Sequence, residues 1–103
     1  MVSVAILGGG VVGYGVAQML CENAVHVLRC AGEPVRAKYI LDIRDIDPPP
    51  GVKLTHSFEE ILSDPEVRVV VETIGGTGAA FTFTKQALMS GRHVVTSNKE
   101  LVA

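Results

Sequence analysis

Tryptophan is absent from this 103-residue chain, and two tyrosines and three phenylalanines supply all of its aromatic surface. No apolar stretch approaches the roughly 20 residues that a helix needs to cross a bilayer, so a membrane span is not expected. Charge of either sign is scarce: 11 acidic against 9 basic residues leave a net charge of −2. That balance offers neither a nucleic-acid footprint nor a basic membrane-binding surface. Nothing positively charged precedes the apolar run at the N-terminus, so a secretory leader is not expected either. Cytoplasm is the expected compartment.

Cysteine is equally sparse. Cys21 and Cys30 form no CxxC pair and have no sequence-local partners resembling a zinc site. They are expected to be reduced thiols acting as small apolar residues. His26, His56 and His93 fall in different elements without ligand spacing, so each is expected at the surface or in packing, and no metal is expected. What the chain does have is a hydrophobic fraction of 48%. This suits one packed α/β domain spanning residues 1–103, small for a complete two-substrate enzyme.

The most informative segment is Val4-Ala5-Ile6-Leu7-Gly8-Gly9-Gly10-Val11-Val12-Gly13. An apolar run of strand length meets Gly8-x-Gly10-x-x-Gly13, and a helical pattern follows at once, the context that marks a dinucleotide-binding turn. Gly8 allows the tight turn, Gly10 lets the backbone approach a pyrophosphate, and Gly13 lets helix and strand pack closely. The new helix turns unpaired N–H groups and its positive dipole end toward the phosphates.

Val2 to Leu7 reads as a buried first strand, followed by a helix from about Val11 to Glu22 with Val12, Val16, Met19 and Leu20 on its apolar face. Residues 23–33 fit either a short strand or a helical extension. Val35 to Ile43 reads as the second strand and Asp47 to Gly51 as a loop. Val52 to Thr55 alternates as a short third strand. Ser57 and Glu60 suggest a capping box for a helix through Leu62. Val67 to Thr73 reads as a buried central strand, Ala79 to Ser90 as a helix stopped by Gly91, and Val94 to Thr96 as a fifth strand. Ser97 is placed to cap a last helix beginning at Asn98. Strands alternating with helices imply a three-layer α/β fold of the Rossmann type, with a parallel sheet in the order 3-2-1-4-5. A cofactor would then lie across the carboxyl ends of strands 1 and 4.

The polar residues at those ends are the candidate site. Asp42 follows the second strand, where an acid can hydrogen-bond the adenosine ribose, and Arg44 could instead face a 2′-phosphate. Asp42 argues for NAD and Arg44 for NADP, so the pair leaves both cofactors open. A solvated charged turn is the competing explanation. Thr73-Ile74-Gly75-Gly76 leaves the fourth strand at the switch point, where paired glycines permit close approach of a ring or ribose. An ordinary strand-to-helix turn explains them as well. Phe81, Phe83, Ala87 and Leu88 in the next helix look like core or interface residues. Ser97-Asn98-Lys99 sits on the same sheet edge, where a lysine could contact the nicotinamide end or orient a carbonyl substrate; a solvated lysine is the competing explanation, although a cation at a helix start opposes the macrodipole.

With these pieces in place, the chain resembles the N-terminal nucleotide-binding domain of homoserine dehydrogenase. The resemblance covers nearly the whole chain. It is carried by Val4 to Gly13, by Tyr39-Ile40-Leu41-Asp42-Ile43-Arg44-Asp45, by Val69-Val70-Val71-Glu72-Thr73-Ile74-Gly75-Gly76, and above all by Gly91 to Ala103. That last segment contains the family's T-[AS]-N-K-x-L-[VLM]-A pattern whole. The resemblance implies NAD- or NADP-dependent hydride transfer between homoserine and aspartate-4-semialdehyde, in threonine and methionine biosynthesis. By position, Gly9, Val11 and Val12 would line the pyrophosphate loop, while Thr73, Ile74 and Gly75 would approach the nicotinamide riboside. Lys99 matches a family lysine that lies beside the nicotinamide and takes part in activity.

Two departures stand out. Gly9 replaces a residue that is usually larger, which suggests a looser loop, and Thr77 stands where a proline commonly follows the double glycine. The family places its substrate-binding residues, including an acid–base lysine and aspartate, in a downstream domain. The chain is therefore expected to be the cofactor part of a longer, homo-oligomeric enzyme and to be inactive alone. The rivals are the cofactor domain of another two-domain dehydrogenase, acting on an amino acid, sugar or semialdehyde, and a non-catalytic nucleotide-sensing module. Asn98-Lys99-Glu100 lacks the Glu-Lys-Pro context usual in the former, and Thr96 to Ala103 has no purpose in the latter.

Overall fold

The computed structural model of the chain describes residues 2–74 and 78–96. Its elements are β1 (Val2–Leu7), α1 (Val11–Glu22), α2 (Ala24–Ala31), β2 (Val35–Leu41), β3 (Lys53–Thr55), α3 (Phe58–Leu62), β4 (Val67–Glu72), α4 (Gly78–Met89) and β5 (His93–Thr96). All strand pairings are parallel and the sheet order is β3-β2-β1-β4-β5, the Rossmann-type arrangement expected. The ambiguous stretch after Asn23 is helical, and Gly32, at φ +80°, ends it in the left-handed conformation that glycine adopts without strain.

Alternation along the strands feeds a separate core on each face of the sheet. Ala5, Leu7, Tyr39, Leu41 and Val70 pack beneath Phe58, Ile61 and Ala87 of α3 and α4. On the other face Val4, Ile6 and Ile40 pack against Ala17 of α1, with Val16 and Leu20 alongside. Phe58 and Phe83 bring the two helices of the first face together, their ring centroids 4.7 Å apart.

Three local expectations need correction. Helix α1 buries Gly13 and Ala17, whereas Val12 and Met19 are exposed. The helix approaches β1 so closely that only small residues fit on its inner line. Ser57 does hold the N-cap position of α3, yet its side chain makes no cap bond. Instead its N–H donates to Thr55 Oγ1 at 3.1 Å, while Glu60 is drawn away to Lys53 at 3.1 Å. Cys21 and Cys30 are free thiols, but both are exposed and neither packs in the core.

At the foot of the sheet Asp64 ties β2 to the start of β4. It accepts from Tyr39 Oη at 2.8 Å and from the Glu66 N–H at 2.9 Å, and pairs with Lys38 Nζ at 2.5 Å. The Lys38 ammonium, then the Tyr39 hydroxyl and the Glu66 amide, hold the carboxyl down to about 2, against an ordinary 3.8. A depressed carboxylate stabilises the fold above its unfolded pKa, and that contribution disappears as pH falls through the folded value. Urea unfolding between about pH 4 and pH 2 should therefore show a steeper stability loss in the native chain than in Asp64→Asn. Equal slopes would mean that the pair contributes nothing to folding.

Candidate functional site

The glycine turn leaves β1 in a backbone shape set by contacts from three strands. Gly8, at φ +103°, donates its N–H to Leu41 O at 2.7 Å. The Thr73 N–H bonds Leu7 O at 2.9 Å, and the Thr73 hydroxyl donates between Leu7 O (2.8 Å) and Gly8 O (3.1 Å). Any side chain at Gly13 would collide with this arrangement, since its Cβ would lie 1.9 Å from Gly8 O and 2.6 Å from Thr73 Oγ1. Helix α1 is thereby seated with its first turn directly over the turn. The first intrahelical bond runs from the Tyr14 N–H to Gly10 O at 2.8 Å, which places the N–H groups of Val11, Val12 and Gly13 ahead of it. No acidic side chain occupies this first turn and the Gly10 N-cap has no side-chain bond. The helix end keeps its donors and positive dipole for an anion.

Gly9 does not loosen the loop. A Cβ there would lie 2.3 Å from Ile46 Cδ1 and 3.0 Å from Asp42 Oδ2, so the absent side chain is what lets the loop close against β2. Its N–H donates to Asp42 Oδ2 at 2.8 Å. At Gly10, by contrast, a Cβ would meet nothing within 4 Å, so that side of the loop is open to an approaching group.

Asp42 and Arg44 prove to be one unit. Asp42 Oδ1 accepts from the Arg44 N–H (2.9 Å) and Nε (3.1 Å), and Oδ2 accepts from Nη2 at 2.9 Å. The Asp42 side chain is only 8% exposed, while that of Arg44 is 61% exposed at the rim. The Arg44 guanidinium first, helped by the Arg44 and Gly9 amides, holds the Asp42 carboxyl far below the usual carboxylate range. The same pairing raises Arg44 further.

His56 is at the surface, as expected, and stands beside this unit. Its Nδ1 donates to the Asp42 carbonyl at 2.6 Å, and Nε2 lies 3.1 Å from Asp45 Oδ1. Its position just after β3, the neighbour of β2, was the available signal. A cleft of about 790 Å³ follows the carboxyl edge of the sheet. It runs from Gly8, Gly9 and Gly10 past Asp42, Arg44 and His56 to Thr73 and Ile74, with Phe58 and Phe83 among its apolar walls. Of the remaining candidates, Val11 and Val12 are exposed at the start of α1. Gly75, Gly76, Ser97 and Lys99 lie outside the described residues. Among the described residues no group of three His, Cys, Asp or Glu is placed to hold a metal, and no helix is long and apolar enough to cross a membrane.

A glycine turn under a helix N-terminus, an acid at the end of the adjacent strand, and a cleft over the switch point define a dinucleotide-binding domain of the Rossmann class. Comparison with known proteins narrows this. Residues 8–103 match the family model described as homoserine dehydrogenase, NAD binding domain. The Bacillus subtilis homoserine dehydrogenase is 37% identical over 107 aligned positions, covering 99% of this chain and 24% of that protein. Among solved structures, the homoserine dehydrogenase of Thiobacillus denitrificans superposes with a TM-score of 0.87 at 38% identity, covering 98% of this chain and 24% of that one. The Staphylococcus aureus enzyme at pH 7.5 gives 0.84 at 30% identity, over 96% and 26%. The chain belongs to the homoserine dehydrogenase NAD-binding domain family. It spans about a quarter of the length of the relatives it matches.

Proposed function

We propose that the cleft binds both NADP and NAD and that, within a longer homoserine dehydrogenase, this domain presents the nicotinamide for hydride transfer between homoserine and aspartate-4-semialdehyde. The observation that carries the cofactor reading is the Asp42–Arg44 unit at the end of β2. An isolated acid there would select against a 2′-phosphate by repulsion. Here Arg44 neutralises Asp42 and reaches the solvent-exposed rim, so the phosphate of NADP meets a cation and the unmodified ribose of NAD meets no penalty.

The bound cofactor supplies the hydride, and this chain's residues hold and orient it. The amides of Val11, Val12 and Gly13 would receive the pyrophosphate, with Gly8, Gly9 and Gly10 shaping the turn beneath it. Thr73 and Ile74 would border the nicotinamide riboside together with Gly75 and Gly76. Ser97 and Lys99 would complete that side, with Lys99 beside the nicotinamide. Substrate binding and the proton transfer to the carbonyl oxygen would fall to residues of the longer protein, in a cytoplasmic homo-oligomer, so the 103-residue chain alone should turn over nothing.

Parallel titrations with NADPH and NADH, followed by nicotinamide fluorescence, test this. Both should saturate, and Arg44→Ala should weaken NADPH by about tenfold or more while leaving NADH within a few-fold, as expected for loss of a charge-assisted bond. Equal losses would remove Arg44 from 2′-phosphate recognition, and absence of saturable binding of either cofactor would sink the proposal.

A further inference from the structure

A second carboxyl group lies at this edge of the sheet, and the cofactor contacts just described make no use of it. Glu72, the last residue of β4, is 0% exposed and ends a strand whose other residues are four valines and Arg68. Alternation places it on the Val70 face, beneath the helices of that layer. A carboxyl group is costly to bury unless it is well bonded, and an apolar side chain of similar volume would serve folding at least as well. Its two oxygens reach in different directions. Oε2 accepts from the Ile74 N–H at 2.5 Å, across its own strand exit, and Oε1 accepts from Thr96 Oγ1 at 2.6 Å on the paired end of β5.

We infer that Glu72 is a positioning residue for the nicotinamide half of the cofactor, clamping the Thr73–Ile74 exit of β4 to the end of β5. This rests on the cofactor reading given above. The turn it holds is the one whose Thr73 also grips Leu7 and Gly8, and both Thr73 and Ile74 line the cleft. The adenosine side is anchored independently, through Gly9 and the Asp42–Arg44 unit on β2. Glu72 should therefore govern one half of the ligand and leave the other alone. A merely structural role would affect both halves together.

The test compares NADH with ADP, which carries the adenosine and both phosphates but neither the nicotinamide nor its ribose, by calorimetric titration of the chain. Glu72→Leu and the near-isosteric Thr96→Val should each weaken NADH about tenfold, the scale of one lost buried hydrogen bond, with ADP within about twofold of the native value. Glu72→Gln can accept from Ile74 and donate to a rotated Thr96 hydroxyl, so it should restore most of the NADH affinity. If Glu72→Leu does not fold, Thr96→Val still decides. Parallel loss of both ligands, or no loss of NADH in Thr96→Val, overturns the inference while leaving the cofactor reading intact. Failure of the native chain to bind either ligand overturns both.

Discussion

Gly13→Ala is expected to destabilise the chain by about 2 kcal/mol and to abolish most cofactor affinity, even though alanine is the better helix former. Helix propensity alone would favour the substitution by about 1 kcal/mol. Against it stands a Cβ placed 1.9 Å from Gly8 O, a backbone atom that cannot rotate aside. Gly8 is held by its bond to Leu41 O and by the Thr73 hydroxyl, so the strain must be relieved by lifting α1 off β1. Overpacking of this kind costs about 1–3 kcal/mol, and a contact this short belongs at or above the upper end. Lifting α1 also carries its amide donors away from the glycine turn, so NADH affinity should fall further than stability alone accounts for. Gly15 supplies the control. It lies in the same helix, is exposed, and its added Cβ would meet nothing within 4 Å. Gly15→Ala should thus stabilise by up to about 1 kcal/mol. Urea midpoints of the two variants should move in opposite directions. Movement in the same direction would show that α1 does not pack on Gly8 as closely as described.

The second large effect is expected at the opposite edge of the sheet. Arg92, just ahead of β5, donates Nε to Val67 O at 2.9 Å and Nη2 to Asp64 O at 2.8 Å and Leu62 O at 3.0 Å. Its Nη1 bonds Ser90 Oγ at 2.8 Å. One guanidinium thereby satisfies the carbonyls at the end of α3 and the beginning of β4, which have no helical partner of their own. Arg92→Ala should lower stability by about 2–4 kcal/mol, because hydrogen bonds from a charged donor are worth about 1.5–3 kcal/mol each and water replaces only part of them. Arg92→Lys should recover less than half, since an ammonium on a flexible stem cannot span carbonyls set around a planar fork. Cofactor affinity measured well below the melting temperature should be unchanged in both, as the cleft lies at the other ends of the strands. A drop in affinity with unchanged stability would contradict that separation.

Much of this architecture was legible in the order of the residues. The apolar strand-length runs, the Gly8-x-Gly10-x-x-Gly13 turn and the helical patterns between strands are local features, and together with right-handed crossovers they leave few arrangements besides 3-2-1-4-5. The motif at the C-terminal end pointed to the family for the same reason, because a contiguous pattern needs no three-dimensional partner to be recognised. Only tertiary structure could decide which polar atoms meet. Asp42 and Arg44 read as alternatives between NAD and NADP, yet folding joins them to each other and to Gly9, a residue 33 positions away. Gly9 looked like slack in the loop and is instead the space into which Ile46 packs. His56 carries no motif, and the segment that contains Glu72 does not say what its carboxyl meets; both partners are set by strands that the sheet places side by side. The inner line of α1 followed the same logic: periodicity indicates that one face is buried, but the distance between helix and strand determines that glycine and alanine occupy it. Periodicity and turn chemistry are written along the chain. Depth of burial and choice of partner arise only when distant segments come together, since the energies that govern them depend on contact.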